Sequence, residues 1–204
     1  TEHWVSKPVD GQSVRLFMWR KHLAQPTGPA RGTLLFVHGS SVSSTPVYDL
    51  QVPGRNDASL MDWFARLGYD CWALSLEGHG DSDGRQYLAA ISIDDYVRNL
   101  ASAIKRIKRT PIVIGHSMGG MTIQALAARR PEWFGDRICG VVLVCTSSGG
   151  VTEVPLGLPG GVGKLIQQVA PMVTGALHGK QDIVDKSREA ASDLRVMENP
   201  VGCE

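Results

Sequence analysis

The residues best suited to chemistry lie in Gly115-His116-Ser117-Met118-Gly119-Gly120, a G-x-S-x-G run. In a chain with 23 glycines the pattern alone says little, so its meaning comes from its surroundings. Before it, Pro111 to Gly115 is a short apolar run that reads as a buried strand; after it, Met118 to Arg130 is an alanine-rich helical stretch stopped by Pro131. Passing from strand to helix within two or three residues forces Ser117 into a strained backbone conformation, and the glycines on each side are needed because side chains there would collide with the turn. The hydroxyl is then held exposed at a helix N-terminus, where free amides favour a developing negative charge and the Met118 N–H can donate to it. A second turn, His38-Gly39-Ser40-Ser41, ends the apolar run Thr33 to Val37 and offers the Ser40 N–H. Open parallel sheets bind ligands at the carboxyl ends of their strands, so these two amides converge where a substrate carbonyl would sit. His38 itself reads as a structural hydrogen-bonder that fixes its loop.

The elements that position these residues alternate between short apolar runs and helical patterns, the pattern of a mostly parallel sheet joined by crossover helices. The chain opens differently. His3 to Val9 and Ser13 to His22 flank the turn Asp10-Gly11-Gln12 and read as an antiparallel hairpin, with Val14, Leu16 or Phe17, and Met18 showing the mixed burial of an edge. After a Pro/Gly linker, Gln25 to Gly32, Thr33 to Val37 is too continuously apolar to face water on either side. A helix carrying Leu60, Phe64 and Leu67 is expected to start at Asn56 or Asp57 and stop at Gly68. Tyr69 to Leu76 reads as the next strand. Ser92 and Asp95 form a capping-box start for a helix with the stripe Ile93, Val97, Leu100, Ile104 and Ile107, whose basic last turn complements the helix dipole on a solvated face. Arg137 to Cys145 reads as a sixth strand. From Thr146 onward Ser, Gly and Pro dominate and only fragments of helical pattern follow, so the chain divides into a core, 1–148, and a linker with the start of a cap or lid, 149–204.

Three ordered elements give the chain a resemblance to the α/β-hydrolase superfamily, particularly its esterase, lipase and lactonase-like members. They are the His38-Gly39 loop after the third strand, Glu77-Gly78-His79-Gly80-Asp81-Ser82 after the fourth, and the Gly115 to Gly120 nucleophile elbow after the fifth. The resemblance covers residues 3 to about 148. It implies an α/β fold of mostly parallel strands with an antiparallel N-terminal hairpin and flanking helices. It also implies that Ser117 attacks an acyl carbon while the Met118 and Ser40 amides form the oxyanion hole. His79 and Asp81 then fall in a glycine-rich turn as turn-forming residues. One departure is the stretch Val42 to Ala58, with Pro46, Tyr48, Leu50, Val52 and Pro53, which is longer than the family's usual connection and is expected to wall the acyl or leaving-group pocket. Tyr48 and Trp63 read as packing residues.

A serine nucleophile needs a histidine base and a carboxylate to orient it, and in this superfamily both follow the serine. After Ser117 the only histidine is His178. The run His178 to Val184 superficially resembles the family's acid loop, which would make Asp182 the acid, but no histidine follows. Asp182 or Asp185 at a helix start is the simpler reading. A sheet cut after its sixth strand would expose an apolar edge. The 204 residues are therefore expected to be the N-terminal portion of a larger hydrolase, completed by a further C-terminal fragment, a second chain or a homo-oligomeric partner.

Composition sets the remaining bounds. With 43% apolar and 20% charged residues and a net charge of +1, the chain has core for one globular domain. It lacks the basic footprint that nucleic acid or an anionic membrane would require. No stretch approaches the ~20 apolar residues of a membrane span. Cys71, Cys139, Cys145 and Cys203 show no metal-ligand spacing, and the first three sit in apolar runs, which points to buried thiols and a reducing, cytoplasmic setting. No cofactor is implied, since Gly78-His79-Gly80 lacks the third glycine of a dinucleotide turn. The expected function is a serine hydrolase acting on a small carboxylic ester, lactone or thioester through an acyl-enzyme on Ser117. The alternative is a non-catalytic member of the fold that binds a ligand or a partner.

Overall fold

Thr33–Val37 (β3) and Asp70–Leu74 (β4) are buried at every position, and strands covered on both faces must lie inside a sheet. The computed structural model, which describes residues 1–9, 12–24 and 28–147, places them so. With Glu2–Val9 (β1), Gln12–Lys21 (β2), Pro111–His116 (β5) and Gly140–Val144 (β6), the described residues form a six-stranded sheet in the order β1-β2-β4-β3-β5-β6. The β1–β2 and β2–β4 pairs are antiparallel and the others are parallel, so the expected mixed sheet is present. The alternation of the pleat divides the core into two layers. Leu35, Val37, Trp72 and Leu74 face the helices Ile93–Arg106 (α3) and Met118–Arg129 (α4), packing with Val97, Leu100, Ile104, Ile123 and Leu126. Leu34, Phe36, Cys71 and Ala73 face the shorter helices Ser44–Tyr48 (α1) and Leu60–Arg66 (α2).

Several local expectations need correction. β2 is not an edge: it lies between β1 and β4, and Val14, Leu16, Phe17 and Met18 are all buried. The N-cap of α2 is Ser59, whose hydroxyl accepts from the Asp62 N–H at 3.0 Å and donates to the Asp49 carboxylate at 2.6 Å. Asp57 instead pairs with Arg55 on the surface. Trp63 is half-exposed, whereas Tyr48 is buried against Phe36. Cys145 is exposed along with Val142, Leu143 and Val144, because β6 pairs on one side only among the described residues. The stripe on α3 is buried at Val97, Leu100, Ile104 and Ile107, and its capping box is formed by Ser92 and Asp95. The predicted region 149–204, with Cys203, His178 and Asp182, lies outside the described residues.

One buried cluster is charged. Lys7 reaches from β1 beneath the turn that follows β4 and pairs with Glu77, both almost fully buried, with Asp95 at 3.5 Å. Glu77 also accepts from the Tyr87 hydroxyl at 3.1 Å. The Asn99 carboxamide, turned to satisfy both of its ends, donates to the Glu77 carboxylate and accepts from the Glu77 N–H at 3.0 Å. Removing one partner of such a pair leaves the other buried and uncompensated. Lys7→Met should therefore lower stability by about 3–5 kcal/mol in urea denaturation, with much of the loss recovered in Lys7→Met/Glu77→Met. A single-variant loss below about 1 kcal/mol would mean that water reaches the pair.

Candidate active site

β5 turns into α4 at Ser117, and the geometry of that turn governs the site. Ser117 adopts φ +52° and ψ −118°, one of two non-glycine residues at positive φ among those described. Such a conformation costs on the order of 1–3 kcal/mol and persists only where neighbours hold it. Here the Ser117 N–H donates to the Val144 carbonyl at 3.0 Å, and the Ser117 carbonyl accepts from the N–H groups of Gly120 and Met121 at 3.0 and 3.2 Å. The Thr146 hydroxyl donates to the same carbonyl at 2.7 Å. Thr146 was missed in the sequence, where its one signal is a polar residue placed directly after an apolar strand. The elbow is thus bolted to the end of β6 as well as to its own helix.

Its glycines are dictated by close approach. A Cβ at Gly119 would lie 2.2 Å from the Val37 carbonyl oxygen, so α4 starts in contact with the backbone of β3. The neighbouring turn is equally close: a Cβ at Gly39 would stand 3.1 Å from Ser117 Cβ and 3.5 Å from its Oγ. The structure therefore brings the Ser40 loop against the Ser117 side chain, at the carboxyl ends of the adjacent parallel strands β3 and β5. Met118 is the first residue of α4, and the opening N–H groups of a helix have no partner one turn back.

The stretch 42–58 is tied down beside this turn. The Tyr48 hydroxyl donates to the Val37 carbonyl at 2.8 Å, and the Ser44 and Ser75 hydroxyls share a hydrogen bond at 2.7 Å. Asp49 gathers Trp19 Nε1, Lys21 Nζ, Gln51 Nε2 and Ser59 Oγ at 2.6–2.8 Å. In the turn after β4, Asp81 is exposed, while the Ser82 hydroxyl accepts from the Phe17 N–H and donates to the Ser75 carbonyl. His79 is buried, with Nδ1 at 3.0 Å from the Glu77 carbonyl and Nε2 at 2.8 Å from the Ser40 carbonyl.

His38 is fully buried and holds its loop as expected. Nδ1–H donates to the Gly39 carbonyl at 2.6 Å, and Nε2 accepts from the Leu76 N–H at 2.9 Å, an arrangement available only to the neutral ring. Among the described residues no side chain hydrogen-bonds Ser117 Oγ, so the site as described holds the nucleophile candidate without a base.

A mixed sheet with helices on both faces and a serine elbow after its fifth strand defines an α/β-hydrolase. Solved structures share this fold. Mouse α/β-hydrolase domain-containing protein 10 superposes with a TM-score of 0.56 at 15% identity, over 93% of this chain and 70% of its own. A putative aryl esterase from Burkholderia cenocepacia does so with a TM-score of 0.52 at 24% identity, over 73% and 48%. Within that class the chain belongs to the serine aminopeptidase, S33 family, which matches residues 28–198. Among curated proteins it is 30% identical over 129 residues to the pyrethroid hydrolase of Sphingobium wenxiniae, covering 62% of this chain and 41% of the relative. It is 32% identical over 100 residues to human protein ABHD8, covering 48% and 20%. The chain therefore spans less than half the length of these curated relatives.

Burial pushes the His38 imidazolium down to a pKa of about 4, with His79 adding a smaller repulsion and the Gly39 hydrogen bond opposing both. The unfolded chain binds this proton near pH 6.5 while the folded one refuses it until about pH 4. Stability is thus lost as pH falls through that window, by about 3 kcal/mol at most from this one group, and the loss levels off below it. NMR titration of the His38 ring should give a midpoint near 4; a midpoint near 6.5 would show that the ring is solvated.

Proposed function

We propose that this chain carries the nucleophile and oxyanion half of a serine hydrolase that cleaves a carboxylic ester, lactone or thioester. The observation that carries the reading is Ser117 held at positive φ on a strand-to-helix turn, with the Gly39 backbone so near that a Cβ added there would stand 3.1 Å from Ser117 Cβ. In this reading Ser117 Oγ bonds to the acyl carbon as its proton passes to a histidine base, and the former carbonyl oxygen takes the negative charge. The Met118 and Ser40 N–H groups donate to that oxyanion. Collapse expels the alcohol, thiol or lactone oxygen, which takes the proton, and water then cleaves the acyl-enzyme by the same steps. The base and its orienting carboxylate are supplied from outside the described residues.

The relatives agree in class with this reading. One is a pyrethroid hydrolase, and proteins of the same fold include a putative aryl esterase and the thioesterase domain from the curacin biosynthetic pathway. Halide and epoxide hydrolysis on this fold would place an aspartate at the elbow, and Ser117 stands there instead. In the full-length protein a fluorophosphonate should label one serine per chain, identified as Ser117 by peptide mass. Ser117→Ala should abolish the label and reduce ester turnover by about 10⁴-fold or more. An active preparation that does not label, or a Ser117→Ala variant that retains turnover, would overturn the assignment.

A further inference from the structure

The turn after β4 contains a group that the chemistry above leaves without a task. We propose that His79 is a positioning residue for the oxyanion loop: with a proton on Nε2 it holds the Ser40 carbonyl and so, with His38, fixes the direction of the Ser40 N–H. The inference rests on the serine-hydrolase reading and extends it to the group that sets the geometry of one oxyanion donor.

The argument begins with the peptide planes. The Ser40 N–H belongs to the peptide unit whose carbonyl is that of Gly39, and that carbonyl receives His38 Nδ1–H at 2.6 Å. A planar peptide points its N–H opposite its C=O, so His38 fixes one end of the donor group. The next carbonyl along, that of Ser40, lies 2.8 Å from His79 Nε2. Two consecutive carbonyls of a glycine-containing loop are thus held by two histidines whose rings sit 5.0 Å apart. With both held, the peptide units on either side of Ser40 are kept from turning. Donation by His38 to the Gly39 carbonyl also polarises the Ser40 N–H of that unit, which strengthens what it can offer an oxyanion.

His79 is held in place by what surrounds it. With the proton on Nε2, Nδ1 has none to give the Glu77 carbonyl 3.0 Å away, and the tie to the strand runs through the chain to Glu77, whose side chain lies in the buried cluster with Lys7, Asn99 and Tyr87. Tyr96 of α3 packs at 6.0 Å from the ring. His38 Nε2 accepts from the N–H of Leu76, two residues past the end of β4 on the way into the His79 turn. The loop after β3 is therefore referenced to β4, a central and fully buried strand. A turn-forming residue would need no such link, because a carbonyl 39 positions earlier in the chain has no part in closing the turn.

The test compares His79→Phe, which keeps a ring without a donor, His79→Gln, whose terminal amide reaches the place of Nε2, and His79→Asn, which reaches only toward Glu77. All are measured in the full-length protein with wild type and Ser117→Ala beside them. His79→Phe and His79→Asn should each lose about 10- to 100-fold in kcat with KM within about 3-fold, since a displaced oxyanion donor weakens the transition state more than the bound substrate. Affinity for a boronic acid that mimics the tetrahedral adduct should fall by a similar factor. His79→Gln should restore both to within about 5-fold of wild type. Unchanged kcat in His79→Phe, or a loss that His79→Gln repairs no better than His79→Asn does, would overturn the positioning role. If His79→Phe fails to fold, the Gln and Asn pair decides alone. Turnover that survives Ser117→Ala would instead refute the serine reading on which this inference stands.

Discussion

The site depends on one close approach: the backbone of Gly119 packed onto the carbonyl of Val37, with space for no side-chain atom between them. That contact sets the first turn of α4 against the end of β3 and leaves the connecting residue, Ser117, only a sparsely populated backbone conformation. The strain is carried by the surroundings. Val144 and Thr146 hold the elbow from the end of β6, and parallel pairing of β5 with both β3 and β6 fixes the spacing between the three strand ends. A serine on a strained turn has a defined direction for its Cα–Cβ bond, and the ladder of hydrogen bonds beneath keeps it there.

The same economy extends sideways. The turns after β3 and β4 are joined through His38 and His79, and the second rests on the buried ion pair of Lys7 with Glu77. A buried ion pair is a poor way to add stability, because desolvation offsets most of the attraction, but losing one partner is costly. Glu77 meets Lys7, Tyr87 and Asn99, so the turn above it is tied to β1 and α3 as well as to β4.

The sequence made the parallel core and the elbow legible because both rest on local signals. Thr33–Val37 is apolar after its first residue and is buried throughout, and a serine between glycines at the end of an apolar run reads as a turn. The Ser92–Asp95 capping box is equally local and is formed as written. Long-range partners were illegible. Nothing near Lys7 announces Glu77, 70 residues away, and His79 looked like a turn residue because its partner, the Ser40 carbonyl, carries no side-chain signature. Asn56 or Asp57 is the cap the sequence suggests for α2, yet Ser59 caps it while donating to Asp49, and Asp57 is taken by Arg55. The burial expected of Cys145 failed for a related reason: an apolar run reports that a strand exists, not whether both of its faces and edges are covered among these residues.

The most direct test of the account is a crystal structure of the full-length protein after reaction with an organophosphonate ester. The account predicts phosphorus bonded to Ser117 Oγ, with the phosphoryl oxygen about 2.7–3.1 Å from both the Met118 and Ser40 nitrogens. A phosphonyl group on another residue, or an oxygen turned to solvent and away from both amides, would contradict it.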